Sequence, residues 1–113
     1  LEFSERPWGS YQVLHSTPAA QVKEIKVKAG SRLSYQTHQK RAEHWFIVQG
    51  PAVVTIDGVT KTLETGASID IAIGVAHRMA APSTNDVVFI EVQTGTYFGE
   101  DDIVRLEDDF GRN

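Results

Sequence analysis

The sequence predicts an all-β fold, a small sandwich or barrel. Three observations predict it: short runs of alternating or continuous β-branched and aromatic residues, turn residues at regular intervals between them, and almost no helical periodicity along 113 residues. After a short lead, residues 10–14 begin the first strand. Residues 21–28 form the next, with Ile25 and Val27 on one face and Lys26 and Lys28 on the other, the alternation of a half-buried strand. Ala29, Gly30 and Ser31 turn the chain into residues 32–36, and a polar loop covers 39–42. Trp45, Phe46, Ile47 and Val48 then read as a buried strand ending at Gly50. Asp57 and Gly58 separate two β-branched runs, 52–56 and 59–63, and an Asp-Gly pair in that setting is a hairpin turn. Residues 64–66 turn again, 68–71 make a short strand, and 72–76 loop into a strand that starts at His77. A turn rich in Pro82, Asn85 and Asp86 precedes residues 87–93, which are apolar on both faces and so are expected to cross the middle of the fold. The tail, 99–106, is expected as one helical turn or an irregular cover.

Composition narrows the class. A hydrophobic fraction of 41% with 23% charged residues is ordinary for a globular chain and argues against disorder. One domain is expected over residues 1–113, alone or as a small oligomer such as a homodimer, with no room for a second catalytic module. The net charge of −4 leaves no broad basic surface for nucleic acid. Without cysteine there is neither a disulfide framework nor thiolate ligation, so the cytoplasm is the expected compartment. No apolar run approaches the roughly 18 residues of a membrane span, and residues 1–6 carry no apolar leader core, so no membrane partner is expected.

Chemistry concentrates between Gln36 and Gly50. Gln36 and His38 are two apart, so on a strand their side chains leave the same face. Glu43 follows a short charged connection, and His77 offers a fourth donor after the turn-like residues 73–76. An amide oxygen, two imidazoles and one carboxylate suit a divalent first-row metal. His15 and His44 read as packing or surface residues, since His44 points away from any face that Glu43 occupies. The acidic clusters 100–102 and 107–109 lack the alternating oxygen pattern of a calcium loop and read as solvated charge.

The pattern Gln36-x-His38-x4-Glu43-x6-Gly50, followed by Gly66-x7-Gly74-x2-His77, resembles the two-part metal signature of the cupin superfamily, with glutamine in place of the first histidine. Residues 6–11, 41–45, 74–78 and 91–95, and above all the tail 97–112, are similar to the type II phosphomannose isomerases. In that family the cupin is usually the C-terminal domain of a bifunctional mannose-6-phosphate isomerase and mannose-1-phosphate guanylyltransferase, whose transferase half has no counterpart in these 113 residues. Two departures stand out. Gln39 and Lys40 occupy positions where family members commonly have histidines, and Ala72 replaces a usual proline.

The resemblance implies a small jelly-roll barrel whose mouth holds a metal on Gln36, His38, Glu43 and His77. Zinc is the expected ion, with manganese, iron, cobalt and nickel as alternatives. It also implies interconversion of mannose 6-phosphate and fructose 6-phosphate, a proton moving between adjacent carbons while a cation stabilises the enediolate. Glu91 shares a face with Phe89 and Gln93 and is the candidate proton carrier. Among the cations, Arg105 is the first candidate for the substrate because the best-matching tail carries it over the mouth. Arg32 and Lys26 follow: Arg32 shares the face of Gln36 on a regular strand, and Lys26 serves if the polar face of its strand lines a hydrated interior. Arg78, next to His77, is expected to point outward. The rival classes are a sugar-binding or regulatory cupin without turnover and a different metal-dependent cupin enzyme.

Overall fold

The computed structural model describes residues 2–112, which form eleven strands and no helix. In chain order these are β1 (Phe3–Arg6), β2 (Gly9–Ser16), β3 (Ala20–Val27), β4 (Tyr35–Thr37), β5 (Arg41–Gln49), β6 (Ala52–Ile56), β7 (Val59–Leu63), β8 (Ser68–Ile71), β9 (His77–Ala80), β10 (Val87–Gly95) and β11 (Val104–Glu107). They make two antiparallel sheets, ordered β1-β2-β3-β10-β5-β8 and β11-β4-β9-β6-β7. Strand β10 pairs with β3 on one side and β5 on the other, which is the central position its apolar sequence demands. The predicted hairpin joins β6 to β7 with Ile56 opposite Val59. Asp57 and Gly58 have φ of 49° and 78°, the positive values a two-residue type I′ turn requires.

Period-two alternation decides what faces inward. Along β10 the buried residues are Val87, Phe89, Glu91 and Gln93, and along β5 they are Arg41, Glu43, Trp45 and Ile47. Trp45 and Phe89 meet with ring centroids 5.2 Å apart and join Ile47, Val27, Val54, Val87 and Met79 in the core between the sheets. The inward row therefore passes from hydrocarbon at one end of each strand to ionisable groups at the other. At the polar end, Gly95 has φ 152°, and a Cβ there would lie 2.2 Å from the carbonyl oxygen of Lys40. Only glycine permits that approach, beside which the Thr96 amide donates to Lys40 O at 3.0 Å.

Three local expectations are corrected. Residues 99–106 form neither a helical turn nor a merely irregular cover. After a turn they enter β11, because β4 offers an unpaired edge and Val104 and Arg105 take places opposite Thr37 and Gln36. Arg41 and Ala42 belong to β5 and not to a polar loop. The segment 32–36 is not one regular strand: Arg32 makes an isolated bridge to Ala80, and pairing resumes only at Tyr35. The lead residues also add β1, which pairs with β2.

Candidate metal centre

The two sheets bring His38, Glu43 and His77 together at the polar end of the core. Gln36 on β4 stands opposite His77 on β9, so both enter from the second sheet, while Glu43 enters from β5 of the first. The ligand atoms of His38, Glu43 and His77 all lie within 4.8 Å of one another, and all three residues are buried. His38 Nε2 is 3.4 Å from Glu43 Oε2, and His77 Nε2 is 3.5 Å from Glu43 Oε1. Gln36 lines the same cavity as His38 and Glu43.

Both imidazoles are locked in the tautomer a metal needs. His38 Nδ1 is 2.6 Å from the carbonyl oxygen of Asp102, and His77 Nδ1 is 2.9 Å from that of Val75. A carbonyl only accepts, so each Nδ1 carries the proton and each Nε2 turns its lone pair toward Glu43. Burial pushes the pKa of both rings down, that of His38 to about 4 with help from the Arg41 charge, so both are neutral at pH 7. His77 Nε2 is buried without a hydrogen-bond partner. An unpartnered buried lone pair beside a carboxylate and a second imidazole lone pair is a donor set that fits a divalent cation.

Arg41, which the sequence reading leaves in the polar loop 39–42, is buried at the centre of the site. Its Nε donates to Glu43 Oε2 at 2.9 Å and its Nη2 lies 3.1 Å from His38 Nε2, so a guanidinium touches two of the candidate ligands. The offset of two from Glu43 is the available clue, since it puts both side chains on one face of β5. Lys23 is another residue that sequence reasoning misses. It shares the inward face of Ile25 and Val27, is buried, and pairs with Glu100 of the tail at 2.9 Å. Burial pushes the Glu100 carboxyl up, but Lys23 beside it outweighs that and holds it below its ordinary range.

The remaining sequence candidates divide. Glu91 lines the cavity and is buried, with Trp45 Nε1 donating to its Oε2 at 3.1 Å and Gln93 Nε2 to its Oε1 at 2.5 Å. Burial, reinforced by the nearby Glu43 charge, lifts its pKa to about 7. Trp45 Nε1 also donates to Glu43 Oε1 at 3.1 Å and so bridges the two carboxylates. Arg105 lines the cavity, and its Nε is buried without a partner. Lys26 does not line it: the cavity face of β3 is that of Lys23 and Ile25, so the Lys26 side chain is turned outward, 61% exposed, with Glu24 3.9 Å away. Arg32 is corrected too. With the strand broken before Tyr35 it reaches the surface and makes two hydrogen bonds to Asp109, at 2.8 and 2.9 Å. Arg78 stays out of the cavity but is not solvated, because its Nε donates to Leu33 O and its Nη1 to Glu107. His15 is exposed, and His44 is half-buried and pairs with Asp70.

A model of the mannose-6-phosphate isomerase C-terminal family matches residues 2–108. The chain belongs to that family. It is 51% identical over 107 residues to the alginate biosynthesis protein AlgA of Pseudomonas aeruginosa, covering 95% of this chain and 22% of AlgA. To the mannose-1-phosphate guanylyltransferase of Escherichia coli it is 47% identical over 107 residues, with 95% and 22% covered. The chain thus spans less than a quarter of these family relatives. Among solved structures, the capsular polysaccharide assembling protein CapF of Staphylococcus aureus superposes with a TM-score of 0.82 at 20% identity, covering 94% of this chain and 34% of CapF. A cupin-like protein of Thermotoga maritima gives 0.77 at 18% identity, with 94% and 80% covered. The fold of this family member is accordingly the small cupin jelly-roll barrel. Among the described residues no helix is long and apolar enough to cross a membrane.

Proposed function

We propose that this chain carries a metal-dependent aldose–ketose isomerase site that interconverts mannose 6-phosphate and fructose 6-phosphate. The observation that carries the proposal is the meeting, at one buried point, of two neutral imidazoles whose Nε2 atoms flank the carboxylate of Glu43, that of His77 without a hydrogen-bond partner, with a second carboxyl poised near neutral pH. A divalent cation held by His38, Glu43 and His77, with Gln36 alongside, would supply Lewis-acid stabilisation of charge developing on the sugar oxygens. Zinc suits the N/O donor set, as do its first-row neighbours.

The protein's own groups account for the proton. A carboxyl with a pKa of about 7 exists in both protonation states at working pH, so Glu91 can take a proton from one carbon and return it to the next. Trp45 Nε1 and Gln93 Nε2 donate to its two oxygens, which fixes the orientation of the carboxyl. Arg105 cannot ligate a cation and keeps its charge, so its partner is the substrate's phosphate or its enediolate oxygen.

The test is a coupled assay of mannose 6-phosphate isomerisation before chelation, after chelation and after re-addition of zinc, manganese, cobalt or nickel. Activity that falls on chelation and returns with metal is the expected result; a metal-loaded chain that binds the sugar without turnover points to the regulatory cupin class. Arg105→Ala should leave metal content and folding intact. A raised KM would assign Arg105 to the phosphate, a lowered kcat to the enediolate, and an unchanged kcat/KM would remove it from the site.

A further inference from the structure

The ion pair between Lys23 and Glu100 is lopsided. The Lys23 side chain is 5% exposed, fixed in the wall by β3 and set over the Tyr11 ring with its ammonium 4.3 Å from the centroid. The Glu100 side chain is 53% exposed and comes from the surface turn before β11. A buried ammonium needs an anion, whereas a half-exposed carboxylate on a surface turn can swing into water and be solvated there without its partner. Arg41 Nη1 lies 3.9 Å from the same Glu100 oxygen and is buried without a hydrogen-bond partner. One oxygen position is thus flanked by two buried cations and filled by the least buried member of the group. The cavity they line measures only about 170 Å³, small against the roughly 300–1,000 Å³ of ordinary small-molecule pockets. A sugar phosphate therefore needs the rim to yield, and Glu100 is the rim group whose departure both opens space and frees two cations.

We propose that Lys23 and Arg41 Nη1 form the subsite for the substrate's phosphate, and that Glu100 fills it in the resting protein and is displaced when the phosphate enters. The proposal rests on the phosphosugar reading above and extends it to residues outside the metal cluster. Phosphate satisfies both cations with several acceptor oxygens where the carboxylate places one. Glu100 meanwhile offsets the charge of Lys23 and keeps the tail seated. The tail remains tied down through Asp102, whose carboxylate accepts from the amides of Gln39 and Lys40 and whose carbonyl holds His38, so the exchange is confined to the Glu100 side chain.

Calorimetric titration of inorganic phosphate into the full chain, wild type against Glu100→Gln, Lys23→Met and Lys23→Arg, tests this without any sugar chemistry. Glu100→Gln removes the competing charge and should bind phosphate about tenfold more tightly; Lys23→Met should bind at least about tenfold more weakly, and Lys23→Arg should recover much of the loss. Thermal unfolding of each variant checks the fold, and if Lys23→Met does not fold, the Glu100→Gln result decides alone. Equal or weaker phosphate binding by Glu100→Gln, or no detectable binding by either it or the wild type, overturns the proposal. If phosphate behaves as expected but the metal-loaded chain does not isomerise mannose 6-phosphate, the subsite stands and the isomerase reading falls. Turnover with phosphate affinity indifferent to Lys23 would keep the isomerase reading and overturn the subsite.

Discussion

The wall of the barrel and the tail across its mouth carry similar numbers of charged groups but hold them in different ways. In the wall, His38, Glu43, His77, Glu91 and Arg41 are buried on or beside paired strands, and each side chain is aimed by at least one hydrogen bond. In the tail, Glu100, Glu107 and Asp109 are exposed or half-exposed and reach back singly to Lys23, Arg78 and Arg32. Buried polar groups are costly to leave unpaired, whereas exposed ion pairs contribute little. The wall should therefore fix what the site can do, and the tail should tune what reaches it.

The largest expected effect tests the wall. His77→Ala and His38→Ala each remove one imidazole from a small donor set, and each should weaken divalent-metal binding by at least about a hundredfold in a chelator competition. Undiminished metal affinity in both would remove the cluster from consideration. Next in size, Phe89→Ala empties a fully buried site against Trp45 and should cost about 3–5 kcal/mol in chemical denaturation. A loss below about 1 kcal/mol would mean that the ligand-bearing strands are not held by this core.

Glu91 gives a graded effect. Its carboxyl is raised from 4.5 to about 7, so between those values the folded chain keeps a proton that the unfolded chain has lost. Stability of the metal-free protein should therefore fall as pH rises through that window, and Glu91→Gln should flatten the slope. Denaturation midpoints measured across the window check it, and an identical slope in both proteins would place the titration elsewhere. The smallest effect belongs to the tail. Asp109→Ala breaks an ion pair whose two side chains are 45% and 42% exposed, and should shift stability by less than about 1 kcal/mol. A larger loss would show that the tail is part of the structural frame.

What is legible in the sequence follows the same division. The hairpin at Asp57 and Gly58 and the central place of β10 rest on local turn chemistry and apolar patterning, which a sequence states directly, whereas the meeting of His38, Glu43 and His77 is legible through the resemblance to the cupin metal signature. Lys23 and Arg41 obey the same alternation, but their charge suggests solvent. Only the folded cavity shows that Glu43, Glu91 and Glu100 neutralise them. Arg32 and Lys26 reach the cavity only if the strands are regular and the interior hydrated. A break before Tyr35 sends Arg32 to the surface, and alternation along β3, which turns Lys23, Ile25 and Val27 inward, sends Lys26 outward. The tail is hardest to read, because β11 forms only where the edge of β4 is waiting, a pairing between residues far apart in the chain.

The central claim is that His38, Glu43 and His77 hold one divalent ion. It is tested most directly by the X-ray absorption spectrum of the chain loaded with one equivalent of zinc or cobalt. The predicted result is one tightly held ion per chain with two imidazole nitrogens and the rest oxygen in its inner shell, and one imidazole fewer in His77→Ala. An ion held by oxygen alone, or an imidazole count unchanged in His77→Ala, would contradict it.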